Sequence, residues 1–121
     1  MKQHVKPLML ASAFFGLFGV FMGGHLAGAG SYALSAIHAH MLVVGWLSLF
    51  SWGVYYQLFT VKGWLGTAHT WTAIIGTIGL VFGMWLNNSI GSVVTLIAFI
   101  AGGMILMASY ALFLIIVLKQ K

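Results

Sequence analysis

Residues 91–118 read GSVVTLIAFIAGGMILMASYALFLIIVL, and the run stops at Lys119-Gln120-Lys121. No charged side chain interrupts it. A helix rises about 1.5 Å per residue, so about 20 such residues cross a hydrocarbon core of about 30 Å. The stretch therefore reads as a transmembrane helix, and three more of its kind precede it. One runs from about Leu8 to Ala27, one from about Ala33 to Phe59, and one from about Leu65 to Leu86, with the last over Gly91 to Leu118. Pro7 suits the first turn of a helix, where no backbone donor is lost. Turn residues separate the spans: Gly28-Ala29-Gly30-Ser31, then Thr60-Val61-Lys62-Gly63, then Asn87-Asn88-Ser89. The expected fold class is an all-α membrane protein, a single four-helix domain over residues 1–121. The first span is too long and too glycine-rich in its continuation to read as a cleaved signal peptide.

Composition agrees. Of 121 residues, 62% are hydrophobic and 4% are charged, against about 25% charged in soluble domains. The net charge of +5 comes from lysine alone, without one Asp or Glu. Paired-carboxylate acid–base chemistry, a Ser-His-Asp triad and a carboxylate cage for magnesium or calcium are therefore excluded. With no cysteine, so are disulfides, thiolate nucleophiles, iron–sulfur clusters and covalent haem attachment. The positive charge is read as a topology signal and not as a nucleic-acid surface. Lys2 and Lys6 precede the first span, Lys62 lies between the second and third, and Lys119 and Lys121 follow the fourth. Four spans bring these segments to one side, and the positive-inside rule makes that side, with both termini, cytoplasmic.

Two glycine stripes recur at helical spacing, Gly16-Gly19-Gly23 and Gly76-Gly79-Gly83. Small stripes let membrane helices approach closely. Some of these glycines are alternatively room for a flat cofactor.

Five histidines remain as the candidates for polar chemistry. His4 precedes the first span. His25, near the end of span one, and His38 and His40, near the start of span two, share a depth at the outer face. His69 lies near the cytoplasmic end of span three, roughly 20 Å away along the normal. Ionisable residues inside a membrane are functional candidates by default, the plain alternative being a hydrogen bond between helices. Residues two apart on an α-helix are rotated by about 200°, so His38 and His40 face opposite ways and suit two sites better than one shared metal. A closed zinc site needs several ligands converging. Haem iron needs one or two axial imidazoles and an apolar slot, and Met41 to Leu47, with Gly45 and Trp46, are of that character.

The run His38-Ala39-His40-Met41-Leu42-Val43-Val44-Gly45-Trp46-Leu47, followed by Trp52-Gly53-Val54-Tyr55-Tyr56-Gln57-Leu58-Phe59, resembles haem–copper oxidase subunit I, and most closely the small four-helix proteins grouped with that superfamily. In the large subunit a His-x-His pair near the outer end of an inward-running helix serves two haems, one histidine each. That subunit comprises three arcs of four helices, and this chain has the length of one arc. The resemblance implies b-type haem held by His38 and His40, with Gly45 and Trp46 nearby. It implies a homotrimer in which His38 of one subunit faces His40 of the next, in a bacterial or archaeal cytoplasmic membrane. The rival ligation keeps both ligands in one chain, with His25 opposite His38 or His40. The family's copper-ligating histidines and their tyrosine have no counterpart cluster, so oxygen reduction is not implied and no catalytic residue is assigned.

The function expected is electron transfer, with quinol or another redox partner, and any activity would be that of an oxidoreductase. Two other readings stand beside it. One is a copper or cation transporter using His with Met9, Met22, Met41, Met84, Met104 and Met107. The other is an accessory or assembly subunit of a respiratory complex.

Overall fold

The computed structural model describes residues 1–29 and 34–121. Gly30, Ser31, Tyr32 and Ala33, on which part of the expected first turn and the expected start of the second span fall, lie outside the described residues. The described residues form four helices long and apolar enough to span a membrane. They are α1 (Val5–Ala29), α2 (Ser35–Leu58), α3 (Trp64–Ile90) and α4 (Val93–Lys119). The expected all-helical architecture is the one adopted. Large apolar side chains point outward along every helix, among them Leu17, Phe21, Val94 and Leu118. That exposure suits a lipid solvent and would be a liability in water.

The last turn of α3 shows why sequence and structure differ on its end. Asn87-Asn88-Ser89 does not stop the helix, which continues to Ile90 and closes on Gly91 at φ +68°. A left-handed residue after a helix is most readily glycine. Ser92 then caps α4 with a reciprocal capping box. Its hydroxyl accepts from the Thr95 N–H, while its own N–H donates to the Thr95 hydroxyl.

The helices associate as two pairs. In α3–α4 the backbones touch. A Cβ on Gly79 would lie 2.9 Å from Gly102 Cα, and one on Gly83 would lie 2.6 Å from Phe99 Cα. In α1–α2 the first glycine stripe receives side chains instead. Trp46 packs on Gly16, Leu42 on Gly19 and His38 on Gly23. Both stripes therefore receive neighbouring helices, in line with the close-approach reading, and Gly16 also borders an apolar groove of about 560 Å³ between α1 and α2.

The helix α2 is α-helical over Ser35–His40, π-helical over Met41–Ser48 and α-helical again over Leu49–Leu58. At about 3.6 residues per turn, Tyr56 would fall on the same face as His38, five turns on. The wider π turns break that register. His38 meets α1, while Trp52 and Tyr56 meet His69 of α3. There the two pairs join, around Trp52, Tyr56, His69, Tyr110 and Phe113. This junction lies in the half that ends at the five lysines, called here the lysine end.

Candidate functional site

The start of α2 carries the His-x-His pair at the end far from the lysines. His38 is half-buried against α1, with Nδ1 2.8 Å from the carbonyl oxygen of Gly19. Its ring lies on Gly23, whose missing side chain leaves the space, since a Cβ there would approach His38 Cε1 to 2.7 Å. His40 places Nδ1 2.7 Å from the carbonyl oxygen of Ala36, one turn back on its own helix. A carbonyl oxygen only accepts, so each Nδ1 carries a proton, and it is Nε2 that would hold the lone pair of a neutral ring. Metal-binding imidazoles in proteins have this arrangement, because the second-shell acceptor fixes tautomer and ring orientation. The two rings are held by different groups, α1 for His38 and the local turn for His40. Two-residue spacing on the α-helical stretch Ser35–His40 sets the two residues on different faces.

His25 is exposed and lines an apolar cleft of about 380 Å³ with Phe18, Phe21, Met22, Met41 and Trp85. Neither His38 nor His40 lines that cleft. Phe18, Met22 and His25 recur at helical spacing on α1, whereas the His38 partners Gly19 and Gly23 occupy a neighbouring face. Gly45 is buried under the Phe15 ring, where a Cβ would meet Cγ at 2.5 Å. Its visible role is helix packing. Trp46 rests on Gly16, stacks near Phe50 and stays 44% exposed along an apolar groove between α1 and α2.

The donors are of the kind haem iron takes, imidazole nitrogens in apolar surroundings. They do not make a metal cage. Among the described residues no three His, Cys, Asp or Glu side chains converge. The methionines are dispersed as well. Met22 and Met41 border the His25 cleft, Met9 packs on Gly53, and Met104 and Met107 face outward.

A second group of polar side chains sits at the lysine end; the sequence named His4 and His69 separately, but not their grouping with Tyr56. His69 is fully buried, with Nδ1 2.8 Å from the Tyr56 hydroxyl. Trp52 meets the imidazole edge-on at 4.7 Å between centroids, and Phe113 lies at 5.3 Å. His4, ahead of α1, places its ring 5.0 Å from that of Tyr56, in space left by Gly66. Burial pulls the His4 pKa below its usual value near 6.5. One signal in the sequence points here: Tyr56 and His69 stand on either side of the Thr60–Gly63 turn, at similar depth.

No family model matches the chain, and no curated protein or solved structure shows a significant match to it.

Proposed function

We propose that the chain is an integral membrane protein that binds b-type haem through His38 and His40 and passes electrons, with its lysine end in the cytoplasm. One observation carries the reading. Both imidazoles commit Nδ1–H to a backbone carbonyl, and among the described residues no hydrogen bond engages either Nε2. The five lysines gathered at one end support the orientation.

Haem, when bound, supplies one-electron chemistry between ferrous and ferric iron. The protein's part is ligation and orientation. The Gly19 carbonyl holds the His38 ring against α1, and the Ala36 carbonyl holds the His40 ring on its own turn. Hydrogen bonding to the carbonyls makes each Nε2 a better donor. Two imidazoles on one iron leave no open coordination position, which suits electron transfer and not oxygen activation.

Because the two residues lie on different faces of α2, each needs an opposing ligand from elsewhere. A homotrimer that sets His38 of one subunit against His40 of the next answers that need symmetrically. Quinol is the proposed redox partner, since a lipid-soluble donor reaches a protein of this apolar exterior directly.

The test is an absorption spectrum of the protein purified after expression with haem supplied in excess. The expected result is a Soret band with a sharp reduced α-band. A preparation that stays colourless overturns the reading. A colourless preparation that retains copper would favour the transporter.

A further inference from the structure

The haem reading makes no use of the cluster at the lysine end, and that cluster contains unmet polar atoms. His69 Nδ1 is paired with the Tyr56 hydroxyl, but among the described residues the buried Nε2 has no partner. The next residue, Thr70, has a buried hydroxyl near Tyr56 that meets full hydrogen-bond geometry with none of the described residues. Other threonines of α3 satisfy themselves on the preceding turn, Thr72 on the Ala68 carbonyl and Thr77 on the Ala73 carbonyl. In a bilayer, polar groups must find partners inside the protein. Where protein atoms supply none, the usual occupant is an internal water.

A way in exists from the lysine end. A cleft of about 290 Å³ opens there, lined by Lys2, His4, Tyr56, Phe59 and Thr60 among others. Tyr56 both lines this cleft and holds His69. His4, at 5.0 Å between centroids, forms the wall beside it. The remaining groups around His69 are Trp52 of α2 and Phe113 of α4, neither of which titrates. Tyr55 lies behind Tyr56, and Tyr110 lies behind Trp52. No Asp or Glu side chain exists to balance a lasting imidazolium.

We propose that Tyr56 and His69 form a proton-exchange site, hydrated at His69 Nε2 and reached from the lysine end past His4. In the forward step the Tyr56 oxygen takes a proton from a hydronium ion of the cleft water. The former hydroxyl proton moves to His69 Nδ1, and Nε2 gives up its own proton to the internal water. One proton enters and one leaves. Tyr56 ends neutral, and His69 ends neutral in its other tautomer. The reverse passage restores the first tautomer. The step uses no electron and no cofactor, so it stands apart from the haem reading.

The experiment is solid-state NMR on the purified full chain in lipid bilayers, with histidine ring nitrogens labelled and His69 assigned through its own backbone correlations. The readout is exchange between the His69 ring N–H and water. The expected result is a water cross-peak in the unsubstituted protein, with exchange slowed by at least an order of magnitude in Tyr56→Phe, which keeps the ring and loses the hydroxyl. A ring proton that survives prolonged transfer into heavy water overturns the proposal, and so does exchange unchanged by Tyr56→Phe. Both results read the same in colourless and coloured protein, so failure here is distinguishable from failure of haem binding.

Discussion

Nδ1 of His38 lies 2.8 Å from the carbonyl oxygen of Gly19, so the first helix and not the second decides which way this imidazole faces. His40 takes its orientation from Ala36, within its own helix. The two histidines are thus held independently, and their substitutions should act separately on the optical spectrum. With haem bound in the proposed way, His38→Ala and His40→Ala each abolish the bis-imidazole low-spin spectrum. His25→Ala, in its separate cleft, leaves it unchanged. Loss of the low-spin signal in His25→Ala would transfer the ligand role to the rival arrangement.

Gly23 tests the support of His38 without touching a donor atom. A Cβ there lies 2.7 Å from His38 Cε1, and the hydrogen bond to Gly19 keeps the ring from swinging clear. Overpacking of this sort costs about 1–3 kcal/mol. Disturbing the second shell of a metal ligand costs about 10–100-fold in affinity. Gly23→Ala should therefore weaken haem retention on titration while the protein still folds. Unaltered retention would show that His38 does not ligate.

Much of the fold can be read from the residues, because membrane spans are set by length and polarity alone. The run from Gly91 to Leu118 has no charge to interrupt it, and its helix begins within two residues of that reading. The placement of His38 and His40 on different faces also follows from two-residue spacing. The π-helical stretch Met41–Ser48 does not follow, since its apolar residues would suit a regular α-helix equally well. That stretch turns Tyr56 toward His69. The pairing of these two residues depends on how α2 meets α3, and no local pattern of either helix encodes it. The glycine stripes announced close approach, but not that one would meet backbone and the other side chains.

The α3–α4 interface is the part of the fold most sensitive to a single added carbon. A Cβ on Gly83 meets Phe99 Cα at 2.6 Å, and backbone has no rotamer by which to move away. Gly83→Ala should destabilise the protein by about 1–3 kcal/mol. Gly24→Ala has nothing within 4 Å of its new atom, and alanine is the better helix former by about 1 kcal/mol. Thermal unfolding in detergent should therefore lower the midpoint for the first variant and hold or raise it for the second. Equal effects would remove the interhelical contact as the cause.

The cap on α4 makes a local prediction. Ser92 accepts from the Thr95 N–H and returns a bond through its own N–H. Removing an N-cap hydroxyl costs about 1 kcal/mol. Ser92→Ala should speed amide hydrogen exchange in the first turn of α4 and leave the turns near Lys119 unchanged. Uniform acceleration along the helix would point to global loosening instead.

His4 gives the N-terminal segment a dependence on pH whose sign follows from its burial. The folded state lowers its pKa below the usual value near 6.5, because desolvation disfavours the imidazolium. The unfolded chain therefore binds more protons over that interval. Docking of His4 beside Tyr56 contributes fully above the usual value, and is lost as pH falls through the lowered one. Acidification should release the segment, seen as faster proteolysis before α1 or as a changed environment at Tyr56. His4→Phe keeps an aromatic ring on Gly66 and removes the titration, so its docking should become indifferent to pH over the same range. If the segment of this variant still comes away on acidification, His4 is not the group responsible.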